Sequence, residues 1–318
     1  MYSGFLLILG FLLLFFGGEL LVRGSVGIAL KLRVSVLVVG MTIVSFATSS
    51  PELFVCLQAL FNDNTNIALG NVIGSNIANI ALVLGLTALI FGVRISKQTL
   101  GLNYPVMLLS SITLGLAFYL FSGVNQIIGL LFVLFLVFFS YFLIKKSRLD
   151  EIEATVSEDE ILGSATNYSI KKSVLFIFSG IILLKYGADN LVNGTILIAN
   201  NLNISDRVIA VTVVAIGTSI PELATSIIAA FKKQDGLIVG NLIGSNIFNI
   251  LAVLGISSIV KSIQITDQAI FSFDYLWMIS IAILLGIFIY FLSNRKITRL
   301  EGAILIVAYI IYIYYSLN

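Results

Sequence analysis

Apolar runs of some 20 residues, enough to cross about 30 Å of hydrocarbon as helix, recur along the whole chain. They lie at 2–22, 34–60, 66–91, 104–121, 124–144, 173–196, 208–231, 236–260, 273–292 and 300–316. The pattern predicts ten transmembrane helices. None of the runs alternates apolar and polar positions as the short strands of a membrane barrel do, so an all-α membrane protein is expected. The first run is followed by further spans and has no small-residue cleavage site set apart from it, which marks a retained helix rather than a signal peptide. One long polar stretch, 145–172, carries Lys145, Lys146, Arg148, Lys171 and Lys172 around an acidic block of Asp150, Glu151, Glu153, Glu158, Asp159 and Glu160. It divides the spans five and five, and it is too short for a folded domain, so it reads as a solvated linker.

Lys and Arg mark the cytoplasmic side. Of the 18 in the chain, 15 fall in odd-numbered loops: Arg23, Lys31, Arg33, Arg94, Lys97, the linker cations, Lys232, Lys233, Arg295, Lys296 and Arg299. Arg207 and Lys261 fall in even-numbered loops, and Lys185 within a span. Both termini are therefore expected outside and the linker in the cytoplasm. An odd number of spans per half makes the second half enter from the opposite side, the topology of an inverted repeat.

The repeat is visible residue by residue at an offset of 170. Thr48-Ser49-Ser50-Pro51-Glu52-Leu53 matches Thr218-Ser219-Ile220-Pro221-Glu222-Leu223 in five of six positions, and the segment Gly70 to Ile80 matches Gly240 to Ile250 in nine of eleven. Gly17, Leu21, Val22 and Gly24 have counterparts in Gly187, Leu191, Val192 and Gly194, Glu19 stands opposite Asp189, and Ser35 opposite Ser205. The expected organisation is a first five-helix repeat over 1–144 with its motif at 42–85, the linker 145–172, and a second repeat over 173–318 with its motif at 212–255.

Composition narrows the chemistry. Hydrophobic residues make up 59% of the 318, charged residues 11%, and mean hydropathy is +1.09, where a soluble domain carries about a quarter charged residues. A net charge of +2 gives no concentrated basic face for nucleic acid. Histidine is absent and Cys56 is the single cysteine, which removes imidazole chemistry, disulfides and Cys-rich metal sites. No cofactor is expected. What remains is chemistry done with oxygen.

Two carboxylates are out of place. Glu52 and Glu222 sit inside apolar spans at equivalent points, where a charge costs several kcal/mol. Thr48 and Thr218 lie four residues earlier on the same helix face, with Ser49 and Ser219 beside them. Pro51 and Pro221, two of only three prolines in the chain, are expected to interrupt the helix in mid-span and free carbonyls near Ala47 and Gly217. Ser75 with Asn79, and Ser245 with Asn249, share faces in the Gly-Asn-x-Ile-Gly-Ser-Asn segments, whose glycines admit a neighbouring helix. Every candidate ligand is an oxygen, as Ca2+ and Na+ require and as zinc or copper do not. Two ionised glutamates balance one Ca2+, whereas an empty site would leave two charges in low dielectric. Substituting Na+ for Ca2+ meets the same demand, a physical rationale for obligatory exchange by alternating access. Glu19, Asp189 and Lys185 are read as ordinary ion pairing or snorkelling, and Trp277 with the many Phe and Tyr as lipid-facing filler and interface belt.

At these residues the sequence resembles the cation/calcium antiporter superfamily, most of all its prokaryotic sodium/calcium exchangers, over nearly the full chain. The resemblance implies that Glu52 and Glu222 are the central Ca2+ ligands, helped by backbone oxygens at Thr48 and Thr218. It implies Na+ sites drawing on Thr48, Ser49, Ser75, Thr218, Ser219 and Ser245 with carbonyls at Ser45 and Ala215, and a middle position lined by Asn79 and Asn249. The first span of each half would slide as the gate. Ala47 stands where the motif usually has Gly. Asn249 stands where several prokaryotic members and the potassium-dependent branch carry Asp, which argues against K+ co-transport. The expectation is Na+/Ca2+ exchange by a monomer in the lipid bilayer of a prokaryotic plasma membrane, not an enzyme. H+/Ca2+ exchange is the runner-up, and a cation channel or a membrane enzyme stands further back.

Overall fold

The computed structural model describes residues 2–153, 168–201, 215–292 and 295–317. The interior of the expected linker, 154–167, and the start of the seventh span with Ser205 and Arg207 lie outside the described residues. Among those described, nine helices are long and apolar enough to cross a membrane: α1 Gly4–Leu32, α2 Val36–Phe61, α3 Thr65–Phe91, α4 Thr99–Phe121, α5 Gln126–Arg148, α6 Ile170–Gly194, α8 Asp235–Val260, α9 Ile270–Leu292 and α10 Arg299–Ser316. A shorter apolar helix, α7 Ile220–Phe231, occupies the seventh expected position. The most apolar window of α8 is 100% buried, against 28% for α5, and Phe5, Ile8, Phe11, Phe15, Leu131 and Phe138 turn large apolar surfaces outward, as lipid-facing helices do.

The boundaries move from those the hydropathy predicts. Helix α1 runs on to Leu32, since no Pro intervenes and Gly24 and Gly27 are carried within the helix before Arg33 adopts a positive φ of 52°, so Arg23 and Lys31 belong to the helix and not to the first loop. Helices α4 and α9 begin earlier than expected, through wide π-helical turns at Thr99–Asn103 and Ile270–Tyr275. Further such turns occupy Gly40–Val44, Ala78–Leu84, Asn249–Leu254 and Phe288–Leu292. Regular non-helical structure among the described residues is confined to two short antiparallel ladders, β1 (Val93–Arg94) with β4 (Lys296–Ile297) and β2 (Gly123–Val124) with β3 (Ile263–Gln264). They fasten loop ends and leave the all-helical class intact.

The chain forms two compact units that are not its two sequence halves. One comprises Met1–Ala47 with Phe139–Asn241, the other Thr48–Phe138 with Leu242–Asn318. In the first unit, α1 packs antiparallel along α6 on a glycine seam. A Cβ on Gly17 would come 2.8 Å from the Leu184 amide nitrogen, one on Gly180 2.8 Å from that of Leu21, and one on Gly187 2.8 Å from that of Leu14. Leu21 and Val22 are fully buried there. The faint glycine echoes at the start of each half are thus the contact surface of two equivalent helices, brought backbone to backbone.

The second unit repeats its own contacts with the halves exchanged. Tyr104 donates to the Ala282 carbonyl at 2.9 Å and Tyr275 to that of Ser111 at 3.2 Å. Gly302 lies against the Gly85 carbonyl as Gly129 lies against that of Gly255, each 2.6 Å from a built Cβ. These two tyrosines are buried and hydrogen-bonded, and Trp277 packs on Phe273 and Tyr312. Part of the aromatic content is therefore interior packing rather than lipid-facing belt, because each of these tyrosine hydroxyls finds a backbone carbonyl on a neighbouring helix.

Candidate functional site

Both glutamates lie where a helix is broken and restarted. A one-turn helix Ser45–Thr48 ends at Ser49, whose φ and ψ of −86° and 2° leave the helical region, and a new segment begins at Ser50. The second half repeats this with Ala215–Thr218, Ser219 at −90° and 1°, and α7. Pro51 and Pro221 fall in the first turn of the new segments, where a missing N–H costs nothing, so they start a helix rather than kink one in mid-course. Ser49 and Ser219 carbonyls accept the first bonds, from Leu53 at 3.3 Å and Leu223 at 3.1 Å. The break sets the positive end of a helix dipole beside each carboxylate and leaves the last carbonyls of the preceding turn without helical donors.

In the second unit Thr48, Ser49, Glu52, Ser75, Asn79, Ser245 and Asn249 are all buried, at most 2% exposed. Neither Glu52 carboxylate oxygen has a hydrogen bond of full geometry, Ser75 being the hydroxyl that faces it. Asn71 holds the Glu52 carbonyl at 3.2 Å, and Thr48 Oγ1 lies 3.4 Å from Ser245 Oγ. The Ser49 hydroxyl is buried without a partner, and so are the side-chain oxygens of Asn79 and Asn249. Such orphaned acceptors cost about 1–3 kcal/mol each, a price tolerated where a cation completes them.

The first unit carries the remaining expected residues. Glu222 is 0% and Ser219 1% exposed, Thr218 is half-buried, and Ala215 opens the one-turn helix that carries it. The Ser219 hydroxyl is buried without a partner. Ser45 was expected through its carbonyl. Its hydroxyl is a structural tie, within 2.8 Å of the Gly40 carbonyl, 3.0 Å of Asn241 and 3.3 Å of Gly240. Sequence reasoning passed over Thr225 and Ser226, fully buried one turn beyond Glu222 with unpartnered hydroxyls, and the central pair Asn76 and Asn246. The signal for the pair was in the repeat itself, since both are identical at the shared offset. No group of three His, Cys, Asp or Glu side chains gathers among the described residues, so a cation here draws largely on hydroxyl, amide and carbonyl oxygens.

Among the described residues, the charges expected to form ordinary ion pairs do so. Lys185 meets Asp189 at 3.2 Å on the exposed face of α6, as the spacing predicts. Glu19 pairs with Arg23 at 2.5 Å and with Lys232, at the end of α7, at 2.8 Å.

Broken apolar helices, each presenting a buried carboxylate at the break, are the construction of a multi-pass membrane transporter. Comparison with known proteins gives the particular kind. The model of the "Sodium/calcium exchanger protein" family matches residues 2–145 and 172–318, and the chain belongs to that family. It is similar to the putative antiporter CaxA of Alkalimonas amylolytica, at 36% identity over 96% of both chains. It is also similar to the sodium/calcium exchanger MaX1 of Methanosarcina acetivorans, at 29% identity over 97% of this chain and 96% of that one. A solved structure of the sodium-calcium exchanger NCX_Mj, soaked with Na+ and Ca2+, superposes with a TM-score of 0.83 at 31% identity, covering 99% of this chain and 98% of that one. The protein is thus a multi-pass plasma-membrane cation/Ca2+ antiporter, of a transporter family rather than an enzyme family.

Proposed function

We propose that the chain exchanges Na+ for Ca2+ by alternating access, without K+, and that it works as a monomer with both termini outside and its two halves inverted in the membrane. Glu52 and Glu222 are the two acidic Ca2+ ligands in this reading, with the backbone at Thr48 and Thr218. Thr48, Ser49, Ser75, Thr218, Ser219 and Ser245 serve Na+ together with the carbonyls of Ser45 and Ala215, and Asn79 and Asn249 line the middle position. The observation that carries it is the complete burial of both glutamates at repeat-equivalent helix breaks, in a chain that matches the exchanger family over nearly its full length. K+-independence is supported by Asn249, a neutral amide whose nitrogen is already committed as a donor. The mirrored contacts of the second unit support the repeat architecture.

The test is Ca2+ uptake into Na+-loaded proteoliposomes, against K+-loaded and pH-gradient controls, with Glu52→Gln and Glu222→Gln alongside. Uptake driven by outward Na+ alone and lost in either variant is expected. Uptake driven by the proton gradient would replace this reading with H+/Ca2+ exchange, and uptake indifferent to both gradients would replace it with a channel.

A further inference from the structure

The geometry points to Asn76 and Asn246 as positioning residues that fix, each across the repeat, the amide orientation of the opposite half's Asn249 and Asn79, so that an oxygen and never an NH2 group is offered to the cation. This rests on the cation-exchange reading above and names what holds two of its ligands in register.

Four hydrogen bonds carry the argument, and they form two mirrored pairs. Asn76 Nδ2 donates to the Asn246 carbonyl at 3.3 Å, and Asn246 Nδ2 to the Asn76 carbonyl at 3.2 Å. Asn249 Nδ2 donates to Asn76 Oδ1 at 3.1 Å, and Asn79 Nδ2 to Asn246 Oδ1 at 3.1 Å. The second hydrogens of Asn76 and Asn246 meet the sulfurs of Met278 at 3.7 Å and Met107 at 3.8 Å. Every polar side-chain atom of Asn76 and Asn246 is therefore engaged, and both residues are buried, at 1% and 3% exposure.

Asn79 and Asn249 are left differently. Each has spent its amide nitrogen on the other half, and each keeps an Oδ1 that is buried and unpartnered. An amide can turn over to swap oxygen and nitrogen, and near a cation the turned form would present a partial positive charge. Here turning is blocked, because it would set Asn249 Oδ1 against Asn76 Oδ1, acceptor against acceptor. Asn76 cannot yield by turning itself, since its own nitrogen is held by the Asn246 carbonyl. Asn79 and Asn249 also stand where the backbone opens into the π-helical turns Ala78–Leu84 and Asn249–Leu254, the kind of widened turn that is frequent at functional sites. Their orientation depends on the partner across the repeat.

The pattern of coupling is specific: 76 with 249 and 246 with 79, across the halves, and not 76 with 79 or 246 with 249 within a half. Equilibrium binding of radioactive Ca2+ to the detergent-purified full chain, in double-mutant cycles, reads this directly. Asn76→Leu is expected to weaken Ca2+ binding roughly tenfold, the scale of one lost buried hydrogen bond. In an Asn249→Ala background it should add nothing further, whereas in an Asn79→Ala background its effect should multiply. Asn76→Ser, too short to reach Asn249, gives the same cycle if the Leu variant does not fold. Independent effects of 76 and 249, or coupling as strong between 76 and 79, would overturn the assignment. A second readout needs no ion: the Asn249 side-chain NH2 resonance, identified by its loss in Asn249→Ala, should shift in Asn76→Leu and stay in place in Asn79→Ala. Failure of the unaltered protein to bind Ca2+ would count against the exchanger reading, while an unmoved Asn249 resonance would count against this one.

Discussion

A single methyl group placed in the seam between α1 and α6 should loosen the first unit and slow transport without weakening ion binding. Gly17→Ala would set a Cβ 2.8 Å from the Leu184 nitrogen, 3.0 Å from the Leu183 Cβ and 3.1 Å from the Gly180 carbonyl. Two of those three atoms are backbone and the third is a Cβ fixed by its backbone, so none can rotate aside. Restoring ordinary contact at about 3.5 Å requires the helices to part by some 0.7 Å, which forfeits a quarter or more of the dispersion energy along the seam. Overpacking of this kind costs about 1–3 kcal/mol, offset by about 1 kcal/mol from replacing a helical Gly by Ala. The net expectation is a loss of up to about 2 kcal/mol. Gly180→Ala meets the same pair of helices from the other side, 2.8 Å from the Leu21 nitrogen and 2.9 Å from the Gly17 carbonyl, and one parting accommodates both. The double variant should cost less than the sum of the singles. Gly4→Ala is the control on the same helix, with nothing within 4 Å of its Cβ, and should be neutral or mildly stabilising. Thermal inactivation followed by size-exclusion chromatography in detergent gives the order, and proteoliposome kinetics should show a lower kcat with KM for Ca2+ unchanged. Stabilisation of Gly17→Ala and Gly180→Ala to the same degree as Gly4→Ala would refute the seam.

The remaining expectations are smaller in scope. Tyr104→Phe and Tyr275→Phe should each lower stability by about 0.5–1.5 kcal/mol, one hydrogen bond apiece, and by similar amounts in thermal inactivation because the two contacts mirror one another. Cys56 is fully buried, with its thiol 3.3 Å from the Ala68 carbonyl, so maleimide should label it only after denaturation, and rapid labelling of the native protein would contradict the packing. The exposed Asp63 is held below the usual carboxylate range by its hydrogen bond to Lys261, whose ammonium also caps the Leu60 carbonyl at 3.1 Å. A depressed carboxylate contributes above its unfolded pKa and loses that contribution as pH falls through the folded value, so any stability difference between Asp63→Asn and the native chain should vanish in acid. A difference that grew on acidification would contradict it.

What the sequence disclosed and what it withheld divide along physical lines. Hydropathy located nine spans and the shorter α7, and the offset repeat picked out Glu52, Glu222 and their hydroxyl neighbours, because burial of charge in lipid is costly enough to leave a mark on composition. It misplaced the end of α1 because Arg23 and Lys31 look like loop residues by charge, although a long cationic side chain can leave the membrane without the helix ending. The π-helical turns were invisible, since one extra residue in a turn barely disturbs an apolar run. The interruptions were expected at mid-span from Pro51 and Pro221, but proline marks the neighbourhood of a discontinuity without saying whether it ends one helix or begins the next. The interleaved composition of the two compact units lies beyond any local pattern, since it depends on which helices pair.

The amide pair at the centre of the second unit shows why the repeat matters chemically as well as architecturally. Asn76 and Asn246, equivalent at the offset of 170, touch one another through both backbone carbonyls. An apolar pair at such a point would pack as well but could orient nothing. A charged pair would set like charges against each other in low dielectric. An amide is the side chain that can donate to its equivalent and accept from its equivalent's neighbour at once, which satisfies every polar atom while remaining neutral. Under the proposed exchange, neutrality at that point would leave the balancing charge to Glu52 and Glu222, while Asn79 and Asn249 would contribute oriented dipoles that change neither sign nor protonation over the transport cycle. A carboxylate at 249 would need a proton to keep its bond to Asn76 Oδ1, so Asn249→Asp should make Ca2+ binding depend on pH near the titration of that group, where the native chain has no such dependence from this position.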